Sequence, residues 1–188
     1  MDSLKLIPSI FFDAIARVVP GTAAIFAYLV LFHDSWSGLL GRYLGSPFAQ
    51  DDALLTATLL FFFAAYIVGQ LISPFAKLVQ RIGELKLFAP KPKHSKGAYD
   101  WLRVNVKEAG EQCAKIRAEF TMHDGLAVVF LASAALYPFR TPHWSWAVLG
   151  VLLSATLVTA VRGRTTRDTF NQTVQKLADG AGYKAPAK

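Results

Sequence analysis

Four stretches of the chain are long and apolar, and polar segments separate them. The clearest is the stretch from Ala53 to Ala76, which contains no formally charged side chain. As an α-helix it would be about 36 Å long, enough to cross a hydrocarbon core of about 30 Å. The sequence therefore predicts an all-α, polytopic membrane protein, a single membrane domain over residues 1–188 with four transmembrane helices at residues 15–32, 53–76, 120–139 and 144–161.

The segments outside these spans also show helical patterns. Residues 1–19 predict an amphipathic interfacial helix that leads into the first span, with a break or kink at Pro20-Gly21 because proline lacks a backbone donor. The loop at residues 77–119 contains a charged helix with a narrow apolar stripe, predicted over residues 99–119. Residues 162–188 form a polar tail. We expect these helical extensions to lie in the cytoplasm.

Charge separates the two sides of the predicted membrane domain. Charged residues make up only 18% of the chain, against about a quarter in soluble domains, and the net charge is +7. With both termini and the 77–119 loop in the cytoplasm, only Arg42 and Arg140 among the Lys and Arg residues fall in external loops, as the positive-inside rule requires. The sequence thus predicts a multi-pass protein of the inner (plasma) membrane with both termini cytoplasmic. Because the positive-inside distribution already accounts for the net positive charge, nucleic acid is disfavoured as a partner.

Small residues recur at four-residue intervals in two of the spans. They are Ala65, Gly69 and Ser73 in the second span, and Gly150 and Ser154 in the fourth. Such stripes let the backbones of neighbouring helices approach closely. We interpret them as helix-packing faces and expect a homo-oligomer surrounded by membrane lipid.

A narrow apolar seam runs along the predicted 99–119 helix and just beyond it. Intervals of three and four residues, typical of a helix that packs on another helix, separate its members, which include Leu102, Val106, Cys113, Ile116 and Phe120. The seam fits a contact with the cytoplasmic continuation of the second span in the same chain. It fits equally a contact with the same helix of a neighbouring subunit, so it is a candidate assembly seam.

Polar side chains stand near the cytoplasmic ends of the spans. Tyr66 and Gln70 are four residues apart, as are Glu119 and His123, and Asp124 follows directly. Buried polar atoms in a membrane need partners, so these residues are candidates either for hydrogen bonds between helices or for the lining of a hydrated path. For Glu119 and His123 a structural boundary pair is favoured, with proton relay or lipid-headgroup contact as the alternative.

The sequence contains no motif that identifies a reaction. A phosphate-binding glycine loop, a nucleophile elbow and an HExxH metal helix are all absent from it. The single cysteine, Cys113, cannot form an internal disulfide, and no Cys/His cluster has the spacing of a zinc site. We therefore predict no catalytic residue, no cofactor and no metal site.

Three groups of residues form a recognisable pattern along the chain. They are Asp13 followed by Pro20-Gly21, then Tyr66, Gly69, Gln70 and Ser73, and then Arg117-Ala118-Glu119 before the third span. This pattern resembles that of small uncharacterised bacterial inner-membrane proteins and extends loosely over most of the chain. The resemblance implies no activity.

Three functional hypotheses follow. The leading one is a non-enzymatic integral membrane protein, an oligomeric scaffold or anchor whose basic cytoplasmic helix engages a partner protein or anionic lipid. One alternative is a channel or membrane-permeabilising effector with a pore lined by polar residues of the spans. Another is a membrane enzyme that acts on lipid at the cytoplasmic boundary through Glu119, His123 and Asp124.

Overall fold

A computed structural model of the chain describes residues 7–32, 51–83, 96–140 and 145–183. This part of the chain forms five helices: α1 (Ile7–Phe32), α2 (Asp51–Gly83), α3 (Lys96–Asn105), α4 (Lys107–Arg140) and α5 (Trp146–Gly180). It contains no β-strand. Four of the helices, α1, α2, α4 and α5, are long and apolar enough to cross a membrane. The prediction of an all-α protein with four helices of membrane-crossing length is thereby confirmed.

Parts of the predicted segments lie outside the described residues. These parts are residues 1–6 of the interfacial helix, 84–95 of the cytoplasmic loop and 184–188 of the tail, and residue 144 of the fourth span is a further one. Residues 33–50, which belong to the predicted external loop at 33–52 that contains Arg42, lie outside them as well.

Pro20 lies inside a helix and does not end one. The interfacial helix predicted at residues 1–19 and the span predicted at 15–32 form, over the described residues, the single helix α1. Pro20 and Gly21 are both buried. Proline removes only one backbone donor, and an apolar environment keeps the other backbone hydrogen bonds within the helix, so the helix continues through it. For the same reason α2 passes Pro74 and extends beyond its predicted end.

The single helix predicted over residues 99–119 is two helices in the structure. α3 and α4 meet at Val106, and the guanidinium carbon of Arg117 lies 5.4 Å from the ring centroid of Tyr99. In one straight helix these residues would be about 27 Å apart, so the chain folds back. A Cβ atom on Gly110 would lie 2.9 Å from the backbone of α3, and the missing side chain therefore permits the close approach.

α3, the first half of α4 and the second half of α5 enclose a small apolar core, and we call this unit the bundle. Its buried side chains are Ala98, Tyr99, Leu102, Ala109, Cys113, Phe120, Phe170, Val174 and Ala178, and Val106 and Ile116 are partly buried against them. The candidate assembly seam therefore packs within the chain. Its partner is α5, which neither of the two alternatives drawn from the sequence had named.

The arginines that follow the predicted fourth span do not end its helix. α5 runs without a break from its apolar segment into the bundle, and α4 runs without a break from the bundle into its apolar segment. With 34 and 35 residues they are about 51 and 52 Å long, roughly 20 Å longer than a hydrocarbon core is thick. Arginine has a high helix propensity, so its charged side chain ends the apolar surface of α5 but does not end the helix.

The chain turns at the end of α5 and closes the bundle. Gly182 has φ 78°, a left-handed conformation that favours glycine. The N–H of Tyr183 donates to the carbonyl of Ala178, and the Tyr183 ring centroid lies 5.4 Å from that of Trp101. The end of α5 is thereby held against α3.

Outside the bundle, the long helices expose most of their apolar surface. α1, α2 and α4 pack on one another, whereas α5 packs extensively only on α4 and α3. In the most apolar 18-residue stretch of α5, only 6% of the residues are buried. In the corresponding stretches of α1 and α2 the buried share is 17%. Surfaces this apolar on a soluble protein would associate, so their extent agrees with lipid as the surrounding medium.

The substitution Val174→Asp is expected to open the bundle, because Val174 is 0% exposed and the new carboxylate would have no partner in the core. The matched control Val104→Asp changes a residue that is 84% exposed and should leave the bundle closed. Cys113, the only cysteine, is fully buried and serves as the reporter. Burial raises the pKa of its thiol and so lowers its thiolate fraction at neutral pH.

Labelling of Cys113 by a thiol reagent in detergent-solubilised protein measures this opening. We expect at least about a tenfold faster labelling in Val174→Asp than in the wild type, since burying an unpaired charge costs several kcal/mol. Val104→Asp should label at the wild-type rate. Equal rates in the two variants would contradict the intrachain core.

Candidate functional site

α1 and α2 cross with their backbones in contact. A Cβ atom on Gly21 would overlap the carbonyl oxygen of Ala65, and one on Gly69 would overlap the carbonyl oxygen of Arg17. Only residues without side chains permit such an approach. Two members of the small-residue stripe in the second span, Ala65 and Gly69, thus lie against α1 of the same chain.

Arg17 is the centre of a hydrogen-bonded cluster at this crossing. Its Nε and one terminal nitrogen donate to the two carboxylate oxygens of Asp13 at 3.0 and 3.1 Å. Its other terminal nitrogen donates to Gln70 Oε1 at 2.6 Å and to Ser73 Oγ at 3.2 Å. Gln70 Nε2 in turn donates to the Tyr66 hydroxyl at 2.8 Å. We call these five residues the Arg17 cluster, and it joins α1 to α2.

Exposed apolar side chains flank the Arg17 cluster along both helices. Ile15 and Val19 are exposed on α1, and Leu71 and Phe75 on α2. The Arg17 side chain itself is 22% exposed. A guanidinium in such surroundings loses part of its hydration, and the carboxylate and amide oxygens replace it.

A second ion pair joins α4 to α5. The Asp124 side chain is 3% exposed, and its Oδ2 accepts a hydrogen bond from Arg167 at 2.6 Å. The guanidinium of Arg167 lies over the Phe120 ring, 5.5 Å from its centroid. A Cβ atom on Gly163 would lie 2.5 Å from Asp124 Oδ1, so the glycine leaves the space that the carboxylate occupies.

The Arg17 cluster and the Asp124–Arg167 pair lie at the same level. A Cβ atom on Gly125 would lie 2.9 Å from Cβ of Pro20. Gly125 follows Asp124 directly and Pro20 follows Arg17 by three residues, which is less than one helical turn. The four long helices thus carry these polar contacts in one layer, which we call the polar layer. It lies between the bundle and the apolar halves of α4 and α5.

The structure gives the predicted polar boundary residues different partners. Tyr66 and Gln70 belong to the Arg17 cluster, and Asp124 pairs with Arg167. Glu119 Oε1 lies 3.9 Å from His123 Nε2, at the limit of an ion pair, and the Glu119 side chain is 47% exposed. The i,i+4 pair expected from the sequence is therefore a loose surface contact.

The two small-residue stripes have different surroundings. The stripe in α2 is used within the chain, since Ser73 accepts a hydrogen bond from Arg17 and Gly69 touches α1. In α5, a Cβ atom on Gly150 would meet nothing within 4 Å, and Ser154 is exposed. Among the described residues, the α5 stripe faces outwards.

Sequence reasoning did not predict the contacts that the two arginines of the polar layer make with other helices. Arg17 reaches Gln70 across 53 residues, and Arg167 reaches Asp124 across 43 residues. Residue spacing within one helix cannot reveal such pairs. The available signal is the charged residue itself, because a charge within a long apolar helix indicates a partner on another helix.

The chemistry of the polar layer is neutralisation of buried charge, within α1 for Arg17 and between α4 and α5 for Arg167. Each of its two arginines pairs with a carboxylate. The buried atoms His123 Nδ1 and Arg167 Nε have no hydrogen-bond partner among the described residues, and an ordered water is the usual partner of such atoms. Within the same part of the chain, no three His, Cys, Asp or Glu residues are grouped to hold a metal ion.

Comparisons of the chain with protein-family models, with curated proteins and with solved structures found no match. The interpretation of the polar layer therefore depends on its geometry.

Removing one partner of the Asp124–Arg167 pair is expected to destabilise the protein strongly. Arg167→Met or Asp124→Leu alone should lower the free energy of unfolding in detergent by about 3–5 kcal/mol, because the remaining charge stays buried without its partner. The double variant should lose clearly less than the sum of the two single losses. Thermal or denaturant unfolding followed by circular dichroism measures these differences.

Glu119→Gln is the control for this experiment, because Glu119 is half-exposed and its contact with His123 is long. We expect a change of at most about 1 kcal/mol from it. Additive losses in the double variant would show that Asp124 and Arg167 are energetically independent.

Proposed function

We propose that the chain is a non-enzymatic, multi-pass membrane scaffold that holds its bundle at a fixed position beside the inner (plasma) membrane. The observation that carries this proposal is the continuity of α4 and α5, which run unbroken from their apolar halves into the bundle. A rigid helix fixes both the height and the orientation of whatever is built on its end. The bundle is thus an extension of the membrane domain.

The distribution of charge supports an orientation with the bundle and both termini in the cytoplasm. Lys77 on α2 and Arg162 on α5 are exposed on the bundle side of the apolar halves. Basic side chains at this level suit the anionic headgroups of a cytoplasmic leaflet. Arg140 stands at the opposite end of α4.

The apolar half of α5 supports assembly with further copies of the chain. Only 6% of the residues in its most apolar stretch are buried, and its outward face carries Gly150 and Ser154. Small residues on such a face allow a helix of another subunit to approach closely. The seam in the bundle is occupied within the chain, so we propose α5 as the contact between subunits.

The surface of the bundle supports a partner of negative charge. The guanidinium carbons of Arg103 and Arg117 lie 5.8 and 5.4 Å from the ring centroid of Tyr99, and both arginines are exposed. Two cations beside one ring form a compact positive patch. We propose that acidic groups of a partner protein or anionic lipid headgroups meet the bundle at this patch.

The described contacts give less support to the other two hypotheses. The hydroxyls of Ser133, Thr156 and Thr159 donate to carbonyl oxygens of their own helices, so the one hydrogen-bond donor of each is already used within the helix. Asp124, one of three residues considered for lipid chemistry, is engaged in a buried ion pair. The scaffold therefore remains the favoured proposal.

Native mass analysis of the protein in a gentle detergent tests the scaffold proposal. The wild type should be oligomeric, and Gly150→Leu should shift it towards monomer, because a large side chain at a close helix contact costs about 1–3 kcal/mol. Ala135→Leu, a change at an exposed small residue of α4, is the control and should leave the oligomer unchanged.

A wild-type protein that is monomeric at all concentrations would remove the assembly part of the proposal. Equal dissociation by Gly150→Leu and Ala135→Leu would show that α5 is not the specific contact.

A further inference from the structure

An apolar cleft of about 170 Å³ lies between α1 and α4. It is in the halves of these helices that point away from the bundle. Its lining includes Ala24, Ala27 and Leu31 of α1 and Val128, Ala132 and Leu136 of α4, and none of the lining residues carries a charge. The cleft is open and not an enclosed cavity, so a flexible chain can enter it.

One face of α4 connects this cleft to a cation. Val128, Ala132 and Leu136 line the cleft at four-residue intervals, and the next position in this series is Arg140. Residues four apart on a helix lie above one another on one face. Arg140 therefore lies at the end of the cleft that is farthest from the bundle.

Aromatic rings on α1 orient that cation. The rings of Tyr28 and Phe32, which both line the cleft, are stacked with centroids 4.7 Å apart. The guanidinium carbon of Arg140 lies 4.2 Å from the Phe32 ring centroid. A guanidinium held over a ring keeps its N–H donors at the edge, where they can bind an anion. The cleft thus ends in an oriented cation.

The face of α4 that carries the cleft and Arg140 matches one leaflet of a bilayer in length. The cleft lining rises about 12 Å from Val128 to Leu136, Arg140 lies about 6 Å further along the helix, and half of a hydrocarbon core is about 15 Å thick. A hydrocarbon chain that starts near Val128 would therefore reach the headgroup level at Arg140.

We propose that the cleft and Arg140 form a binding site for one anionic phospholipid. An acyl chain lies in the cleft, and the phosphate accepts hydrogen bonds from the Arg140 guanidinium. An apolar slot beside a cation is complementary to this ligand in shape and in charge. The site requires the membrane location of the protein but not its assembly through α5.

Native mass spectrometry of the full-length protein in detergent, with phosphatidylglycerol or phosphatidylcholine added, tests this site. The wild type should bind phosphatidylglycerol about fivefold more tightly than phosphatidylcholine, as one basic residue near a lipid surface provides. Arg140→Gln should lower this ratio severalfold. The control Lys176→Gln, which removes an equal charge from the exposed surface of the bundle, should keep the wild-type ratio.

A second pair of variants tests whether the acyl chain lies in the cleft. Ala132→Phe fills the cleft and should reduce the binding of both lipids severalfold, whereas Ala135→Phe, at an exposed position of the same helix outside the cleft, should leave both unchanged. Helix content measured by circular dichroism checks that both variants are folded.

Several outcomes would overturn the proposal. Equal wild-type binding of both lipids, a ratio that Arg140→Gln leaves unchanged, or one that Lys176→Gln lowers equally would each exclude Arg140 as the specific headgroup contact. Unchanged lipid binding in Ala132→Phe would exclude the cleft. A dimer that Ala132→Phe dissociates, without a change in bound lipid, would show that a second copy of the chain occupies the cleft.

Discussion

A guanidinium or a carboxylate that leaves water loses several kcal/mol of solvation unless a charge or a hydrogen bond replaces it. Arg17 and Asp124 meet this constraint with partners on neighbouring helices. Gly69 lets the backbones of α1 and α2 touch, and Gly163 leaves space for the carboxylate of Asp124 beside α5. These partners are therefore within reach. The arrangement of α1, α2, α4 and α5 depends on this combination of missing side chains and paired charges.

The polar layer also connects the apolar halves of the helices with the bundle. The Arg167 guanidinium that binds Asp124 lies over the ring of Phe120, and Phe120 packs edge to face on Phe170 in the bundle core, with ring centroids 5.5 Å apart. A displacement of α5 along α4 would therefore disturb the ion pair and the core together. This coupling makes the bundle a rigid part of the proposed scaffold and argues against a freely tethered domain.

Sequence patterns predicted the features that depend on short-range regularity. Apolar length predicted four helices able to cross a membrane. The four-residue spacing of Asp13 and Arg17 is likewise one at which an ion pair forms within a single helix. The fold-back at Val106 and the pairing of the seam with α5 were not predicted, because a three-and-four pattern shows that a helix needs a partner but not which one. Phe170 and Val174 are four residues apart, which places them on one face of a helix, yet nothing local assigns that face to the seam.

The candidate site was predictable only in part for the same reason. Tyr66, Gln70 and Asp124 were predicted as polar residues near the ends of apolar spans, whereas the arginine partners of Gln70 and Asp124 lie 53 and 43 residues away in the sequence. The function was less predictable still, because the charges of the polar layer serve helix contacts and form no motif of a known reaction.

The most direct test of this account compares Gly69→Ala with Gly180→Ala in the unfolding of the detergent-solubilised protein. An added methyl group at Gly69 would overlap the backbone of α1, whereas at Gly180 it would meet nothing within 4 Å. We predict that Gly69→Ala lowers the free energy of unfolding by about 1–3 kcal/mol and that Gly180→Ala leaves it unchanged or raises it by up to about 1 kcal/mol. Equal stability of the two variants would contradict the claim that a close glycine crossing holds α1 and α2 together.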